Sequence, residues 1–200
     1  GIDIAPNLIE QAIERAKAEG ITAKFEVGDA EALPYPDESF DLVMTMFGAM
    51  FAPRPHVTAS ELVRVTKEGG VIAMANWTPE AFTGQMFKLG AKHVPPPPGM
   101  PSPVLWGTED AVRERLADGV ADLKMTRRNI MFHYPMDPAG VVELFRQYFG
   151  PTVVAFSNLD PDGQAALRSD LEALWAEHNQ ATDGMTAVES EYLEVRAIKR

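Results

Sequence analysis

Apolar residues along the first 77 positions follow two different periodicities. They recur at helical spacing in two segments, whereas other short apolar runs show no alternation, which is typical of strands covered on both faces. The predicted elements are a strand ending at Ile4, a helix from Pro6 to about Gly20, strands at 22–27 and 40–46, a helix through 59–66 that Gly69-Gly70 ends, and a strand at 71–77. This order favours an α/β fold, a mostly parallel sheet with flanking helices and right-handed crossovers.

The pattern becomes less regular after residue 77. The predicted elements are a helix at 79–93, an extended proline-rich segment at 95–101, a helix ending near 117, a strand at 123–134, helices opening at Pro138 and Pro161, and a final strand at 192–199. Gly150-Pro151 is expected to end the first of the last two helices. We see no internal repeat or clear boundary, so we expect one domain over 1–200.

Composition narrows the classes of function. The formal net charge of -11 disfavours binding to the phosphate backbone of nucleic acids. No apolar run is long enough to cross a bilayer, so we expect no membrane partner. The absence of cysteine excludes disulfides and thiolate metal sites, and a reducing cytoplasm fits it.

The beginning of the chain is unusual, because the sequence opens inside what reads as a buried strand and has no initiator methionine. We therefore expect upstream sequence, and the first strand of the sheet is expected to be missing from this chain. A targeting peptide in that segment would change the cytoplasmic assignment.

Two acidic residues follow predicted neighbouring strands. Asp3 ends the first strand, where nucleotide-binding α/β folds place a carboxylate that accepts hydrogen bonds from both ribose hydroxyls. Asp29 follows the next strand, where a carboxylate and the backbone N–H of Ala30 could read the edge of an adenine. Either acid could equally be a helix-terminal or turn aspartate. The two acids together are stronger evidence for a ligand site than either one alone, because open α/β sheets bind ligands at the carboxyl ends of their strands.

Four segments, in order and at matching spacing, resemble class I S-adenosylmethionine-dependent methyltransferases of the small-molecule type. They are GIDIAP at 1–6, GDAEALPY at 28–35, SFDLV at 39–43 and ELVRVTKEGG at 61–70. The resemblance covers about the first third of the chain. Each motif is loose by itself, and the four in register are fairly specific.

The resemblance implies a Rossmann-like fold with an antiparallel last strand, and S-adenosylmethionine as cofactor. It implies that Asp3 holds the ribose and that Ile4 packs on the adenine, although plain core packing is the rival interpretation for Ile4. Asp29 and Ala30 would read the adenine edge. The strands at 123–134 and 192–199 would form the closing pair of the sheet.

On the methionine side of the cofactor, the resemblance implies Met46 and Phe47, for which core packing is again the rival interpretation. Members of the family also carry a glycine-rich loop about 20 residues before the acidic residue that binds the ribose. This chain has no such segment before Gly1. We expect a chain without that loop neither to fold well alone nor to bind the cofactor tightly.

The methyl acceptor is expected to be a small, apolar or aromatic molecule, because the segment 82–106 is rich in Phe, Met, Pro and Trp. We assign 79–107 and 135–185 to the substrate side, as a lid or wall. The reaction would be in-line displacement at the sulfonium methyl group. We assign no catalytic base to any of the histidines, expect no metal site, and leave a homodimer open.

Two other classes of function remain. A nicotinamide-dependent oxidoreductase would also place an acid on a ribose, but it has no Gly-Asp-Ala adenine loop. A noncatalytic relative that binds a ligand or a partner is favoured if the chain has no glycine-rich loop at all.

Overall fold

The computed structural model describes residues 1–200 and contains six strands and seven α-helices. The strands are β1 (Ile2–Asp3), β2 (Glu26–Val27), β3 (Phe40–Met46), β4 (Thr66–Trp77), β5 (Val120–Tyr134) and β6 (Thr186–Lys199). The helices are α1 (Pro6–Ala18), α2 (Pro55–Val65), α3 (Phe82–His93), α4 (Glu109–Leu116), α5 (Pro138–Tyr148), α6 (Gly150–Ser157) and α7 (Pro161–His178). Short 3₁₀ turns lie at Ala49–Phe51 and Pro103–Gly107. None of the helices combines the length and apolarity needed to cross a bilayer.

The strands form two sheets. β1 pairs with β2 in parallel, and the second sheet has the order β3-β4-β6-β5. β3 and β4 are joined by α2, the kind of crossover that parallel neighbours need. The fold class is therefore α/β, with a mostly parallel, Rossmann-like sheet and flanking helices as expected.

The last strand, β6, runs antiparallel to its neighbour β5. The backbone N–H of Arg200 donates to the carbonyl of Gly119 at 3.1 Å, while Arg127 pairs with Glu191 at 2.8 Å. Residue numbers therefore rise along β5 as they fall along β6. The predicted closing pair of strands is confirmed, and both strands are longer than the sequence pattern indicated.

The chain divides into two compact units. Unit 1 comprises Gly1–Met74, Asp110–Met125 and Val195–Arg200, and unit 2 comprises Ala75–Glu109 and Thr126–Glu194. The segments assigned to the substrate side, 79–107 and 135–185, fall within unit 2. Their substrate role, and the single domain over 1–200, stay predictions.

In unit 1, α1 and α2 provide most of the helical packing. Pro6 starts α1 and Gly20, with φ +67°, lies in the left-handed region just after it, as the sequence predicted. Helix α2 packs Leu62 and Val65 into the interior. The predicted apolar stripe is therefore buried on α2, whereas on α1 only Ile9 and Ala16 are buried and Leu8 and Ile13 are exposed.

The prediction that 40–46 is a strand covered on both faces is wrong. β3 has the expected bounds, but Leu42 and Met44 are exposed, while Val43 and Thr45 are half-buried. The physical reason is topological, because β3 is the edge strand of its sheet. An apolar run without alternation shows that both faces could be buried, and not that they are.

Gly69-Gly70 does not end α2. The helix ends at Val65, and β4 begins at once with Thr66, so the two glycines lie inside the strand. Gly69 has φ +71°, and a Cβ on Gly70 would come within 2.8 Å of the carbonyl oxygen of Lys67. The glycines therefore serve a tight bend early in β4.

The aromatic core of unit 2 gathers around Trp175 of α7. Its ring lies 4.4 Å from that of Phe82 and 5.2 Å from that of Phe145, measured between centroids. Asp137 and Asp160 cap α5 and α7 by accepting hydrogen bonds from backbone N–H groups. The sequence predicted both helix starts, but it missed α6, which begins at the Gly150-Pro151 pair that was expected only to end α5.

Candidate cofactor site

Strands β1 and β2 place Asp3 and Asp29 side by side at their carboxyl ends. In the parallel register Asp3 lies opposite Val27, and the backbone N–H of Gly28 donates to the carbonyl of Asp3 at 2.9 Å. A Cβ on Gly28 would come within 2.3 Å of the end of the Ile2 side chain, so a larger residue here would force that side chain to move. The expected juxtaposition of the two acids is therefore present.

The carboxylate of Asp3 is exposed and half engaged. One oxygen accepts a hydrogen bond from the backbone N–H of Ala5 at 2.8 Å, which fixes the side chain at the start of α1. The other oxygen makes no hydrogen bond within the protein. Asp3 thus combines the structural role considered for it with a fixed acceptor that can still receive a hydroxyl group.

Asp29 and Ala30 form a donor and acceptor pair on the neighbouring loop. One carboxylate oxygen of Asp29 accepts from the backbone N–H of Glu31 at 2.8 Å. The backbone N–H of Ala30 donates to no protein atom. A carboxylate oxygen and an N–H group with spare hydrogen-bonding capacity are the chemistry that an adenine edge needs.

Ile4 and Met46 are not core residues. Their side chains are 71% and 59% exposed, so the core-packing interpretation fails for both. Phe47 is half-buried and has φ +60°, which is uncommon for a bulky residue and places backbone strain directly after β3. These three residues offer apolar surface at the carboxyl ends of β1 and β3.

An ion pair between the buried carboxylate of Glu31 and the largely exposed Arg54 holds the beginning of the loop after β2. The Glu31 carboxylate, whose side chain is 4% exposed, accepts from the backbone N–H of Arg54 at 2.5 Å and from its Nε at 2.6 Å. The sequence analysis quoted Glu31 only as part of a motif. Nothing in the local pattern identified its partner, which lies 23 positions away.

A second ion pair, on α2, holds the rest of that loop. Glu61 accepts from the backbone N–H of Leu33 at 2.7 Å, while Arg64 donates to the carbonyls of Leu33 and Tyr35. The hydrogen bond from Arg64 lowers the pKa of Glu61 below its ordinary value. The spacing of Glu61 and Arg64 on one helical face was the only sequence signal for this pair.

The histidines are dispersed, and the structure singles out none as a base. His93 lies 2.8 Å from Asp170, and the hydrogen bond from His93 lowers the pKa of that carboxyl group. His178 lies 3.3 Å from the side-chain oxygen of Gln85. No three His, Cys, Asp or Glu side chains approach closely enough to hold a metal ion.

Comparisons with known proteins identify the family of this chain. Residues 1–74 match the family model described as a methyltransferase domain. The chain is 34% identical over 200 residues to an uncharacterized protein of Mycobacterium tuberculosis, covering 99% of this chain and 72% of that protein. The chain belongs to the class I S-adenosylmethionine-dependent methyltransferases. The family that the four sequence motifs predicted is therefore confirmed.

Two further similarities concern a named enzyme and a solved structure. Over 77 residues the chain is 43% identical to the 2-methyl-6-phytyl-1,4-hydroquinone methyltransferase of Synechocystis, which covers 38% of this chain and 24% of that enzyme. The crystal structure of YcgJ from Bacillus subtilis aligns with a TM-score of 0.59 and 19% identity, covering 100% of this chain and 81% of that protein. The second similarity supports the fold alone.

Proposed function

We propose that this methyltransferase moves the methyl group of S-adenosylmethionine to a small apolar or aromatic molecule. The observation that carries the cofactor assignment is the pairing of Asp3 and Asp29 on adjacent strand ends, each with an oxygen that is not engaged in the protein. The groups present also fit this cofactor. They are two carboxylate acceptors, the backbone N–H of Ala30 as a donor, and apolar surface from Ile4 and Met46.

Each of these residues has a distinct task in the proposal. Asp3 accepts from the ribose hydroxyls, Asp29 accepts from the adenine amino group, and the N–H of Ala30 donates to a ring nitrogen. Ile4 packs on the adenine, and Met46 and Phe47 lie beside the methionine part. When bound, the cofactor supplies an activated methyl group on a sulfonium, which is already a good leaving group.

Because the leaving group is good, the protein contributes mainly alignment and exclusion of water. Positioning of this kind can supply on the order of 7–11 kcal/mol toward the barrier. The acceptor class is supported by the aromatic content of unit 2 and by the Synechocystis relative, whose name gives a hydroquinone as its substrate. We propose 79–107 and 135–185 as the segments that contact the acceptor.

Calorimetric titration into the full-length protein, with any upstream sequence restored, tests the cofactor assignment. We expect S-adenosylmethionine to bind with a dissociation constant on the order of micromolar, and we expect no heat from NAD, the control for the oxidoreductase alternative. Binding of NAD alone, or of neither ligand to a folded protein, would rule the assignment out. The second result would leave a noncatalytic binding role.

Transfer assays with a methyl-labelled donor test the acceptor class. We expect label to pass to alkyl-substituted phenols and hydroquinones rather than to small polar amines of similar size. Equal transfer to both sets, or transfer to the amines alone, would contradict an apolar acceptor while leaving the cofactor assignment intact.

A further inference from the structure

Glu31 differs from the other carboxylates of unit 1 because its own side chain is buried, while its partner Arg54 is 66% exposed. Its side chain is 4% exposed and receives two hydrogen bonds from Arg54, one from the backbone and one from Nε. By contrast, Glu19 pairs with Arg15 on α1, where the two side chains are 47% and 80% exposed. A buried carboxylate with two donors is held in one place, whereas an exposed pair is mobile and contributes little.

This held side chain is connected directly to the groups proposed to read adenine. Glu31 follows Ala30 in sequence, so fixing Glu31 restricts the Ala30–Glu31 peptide and, through it, the backbone that carries the N–H of Ala30. Its backbone N–H also donates to Asp29 Oδ1 at 2.8 Å, which orients that carboxylate. Arg54 therefore acts on both groups through a single residue.

The positions of the residues that hold this loop are also informative. Arg54 immediately precedes α2, and the same helix carries Glu61 and Arg64, which bind the later part of the loop at Leu33 and Tyr35. Arg54 and the helix that follows it thus hold both ends of the loop at 28–35. The loop has little regular structure of its own, so its geometry depends on these contacts.

We propose that Glu31, held by Arg54, is a positioning residue that sets the selectivity of the site for adenine over other purines. It touches no ligand and acts through Asp29 and Ala30. The inference rests on the proposed function, because it presupposes that these two residues read the adenine edge.

The test compares S-adenosylhomocysteine with S-inosylhomocysteine, in which the amino group is a carbonyl and the adjacent ring nitrogen carries hydrogen. This change reverses both hydrogen bonds at the edge, so the unmodified protein should prefer the adenine ligand. In Glu31→Gln an amide N–H faces the donors of Arg54. We therefore expect the binding preference for S-adenosylhomocysteine over S-inosylhomocysteine to fall about tenfold. Arg54→Ala keeps its backbone N–H, so its loss of preference should be smaller. Glu19→Gln is the matched control and should change nothing.

The outcomes separate the inference from the proposed function. A protein that binds neither ligand overturns the proposed function and the inference with it. A protein that prefers adenine, with Glu31→Gln weakening both ligands equally, overturns the inference alone and leaves Glu31 as a merely structural residue. If Glu31→Gln does not fold, Arg54→Ala decides: an unchanged preference overturns the inference and a reduced one supports it.

Discussion

Units 1 and 2 bury different kinds of side chain. Unit 1 buries aliphatic residues such as Leu62, Val65 and Ile72, and its candidate ligand groups are carboxylates and a backbone N–H on loops. Unit 2 buries large aromatic side chains, among them Trp106 and Trp175. The family model matches residues 1–74, the first segment of unit 1, and not unit 2. The family model therefore matches the unit whose candidate ligand groups are polar and lie on loops, and not the unit built around aromatic packing.

Trp175→Ala should have the largest effect and should act on unit 2. Its ring is almost fully buried among Phe82, Tyr134 and Phe145, so removing it should cost about 3–5 kcal/mol of stability. Denaturant unfolding followed by tryptophan fluorescence measures this, because all three tryptophans lie in unit 2. Tyr148→Ala, at a side chain 77% exposed, is the control and should be neutral. A cost below about 1 kcal/mol would remove the contrast between the two units.

Asp3→Asn should be the most damaging single change for cofactor binding in unit 1. The asparagine oxygen can still accept from Ala5, so stability should change little, but one acceptor for the ribose becomes a donor. We expect binding of S-adenosylmethionine to weaken about a hundredfold in calorimetry. Asp122→Asn, at another exposed carboxylate, serves as the comparison. Unchanged affinity in Asp3→Asn would show that Asp3 is only a structural residue at the start of α1.

Asp29→Asn should weaken cofactor binding about tenfold, which is less than Asp3→Asn. The asparagine oxygen can turn toward either Glu31 or the ligand, but not toward both. The loss should appear for S-adenosylmethionine and for adenosine alone, and methionine should show none. A variant that binds adenosine normally would contradict adenine reading by this loop. It would then favour the interpretation of Asp29 as a turn residue.

The smallest predicted effect is the pH dependence of the Glu61–Arg64 contact. Since the hydrogen bond from Arg64 lowers the folded pKa of Glu61 below its ordinary value, the contribution of Glu61 to stability is fully present above that ordinary value. The contribution is lost as the pH falls through the folded pKa. Chemical denaturation of the protein and of Glu61→Gln should therefore differ at pH 7, and the difference should shrink as the pH falls through the folded pKa of Glu61. A difference that persists unchanged into acid would show that charge is not what Glu61 contributes.

How much the sequence predicts differs between local and distant features. The helix starts at Pro138 and Pro161 were predictable, because the preceding aspartates cap the first turn through contacts three residues away. The pairing of Glu31 with Arg54 was not, because it joins positions 23 residues apart. The same limit explains α6, since a Gly-Pro pair can end one helix and begin the next.

The sequence by itself determined the family and the two acids at neighbouring strand ends, because motif spacing and periodicity record local backbone geometry. Only the tertiary structure decided that β3 lies at the edge of its sheet with Leu42 and Met44 exposed, and that Ile4 and Met46 lie outside the core. It also decided that Arg54 and the helix that follows it hold both ends of the loop at 28–35. Periodicity shows which faces are apolar, but burial depends on which strands become neighbours, and long-range pairing sets that order.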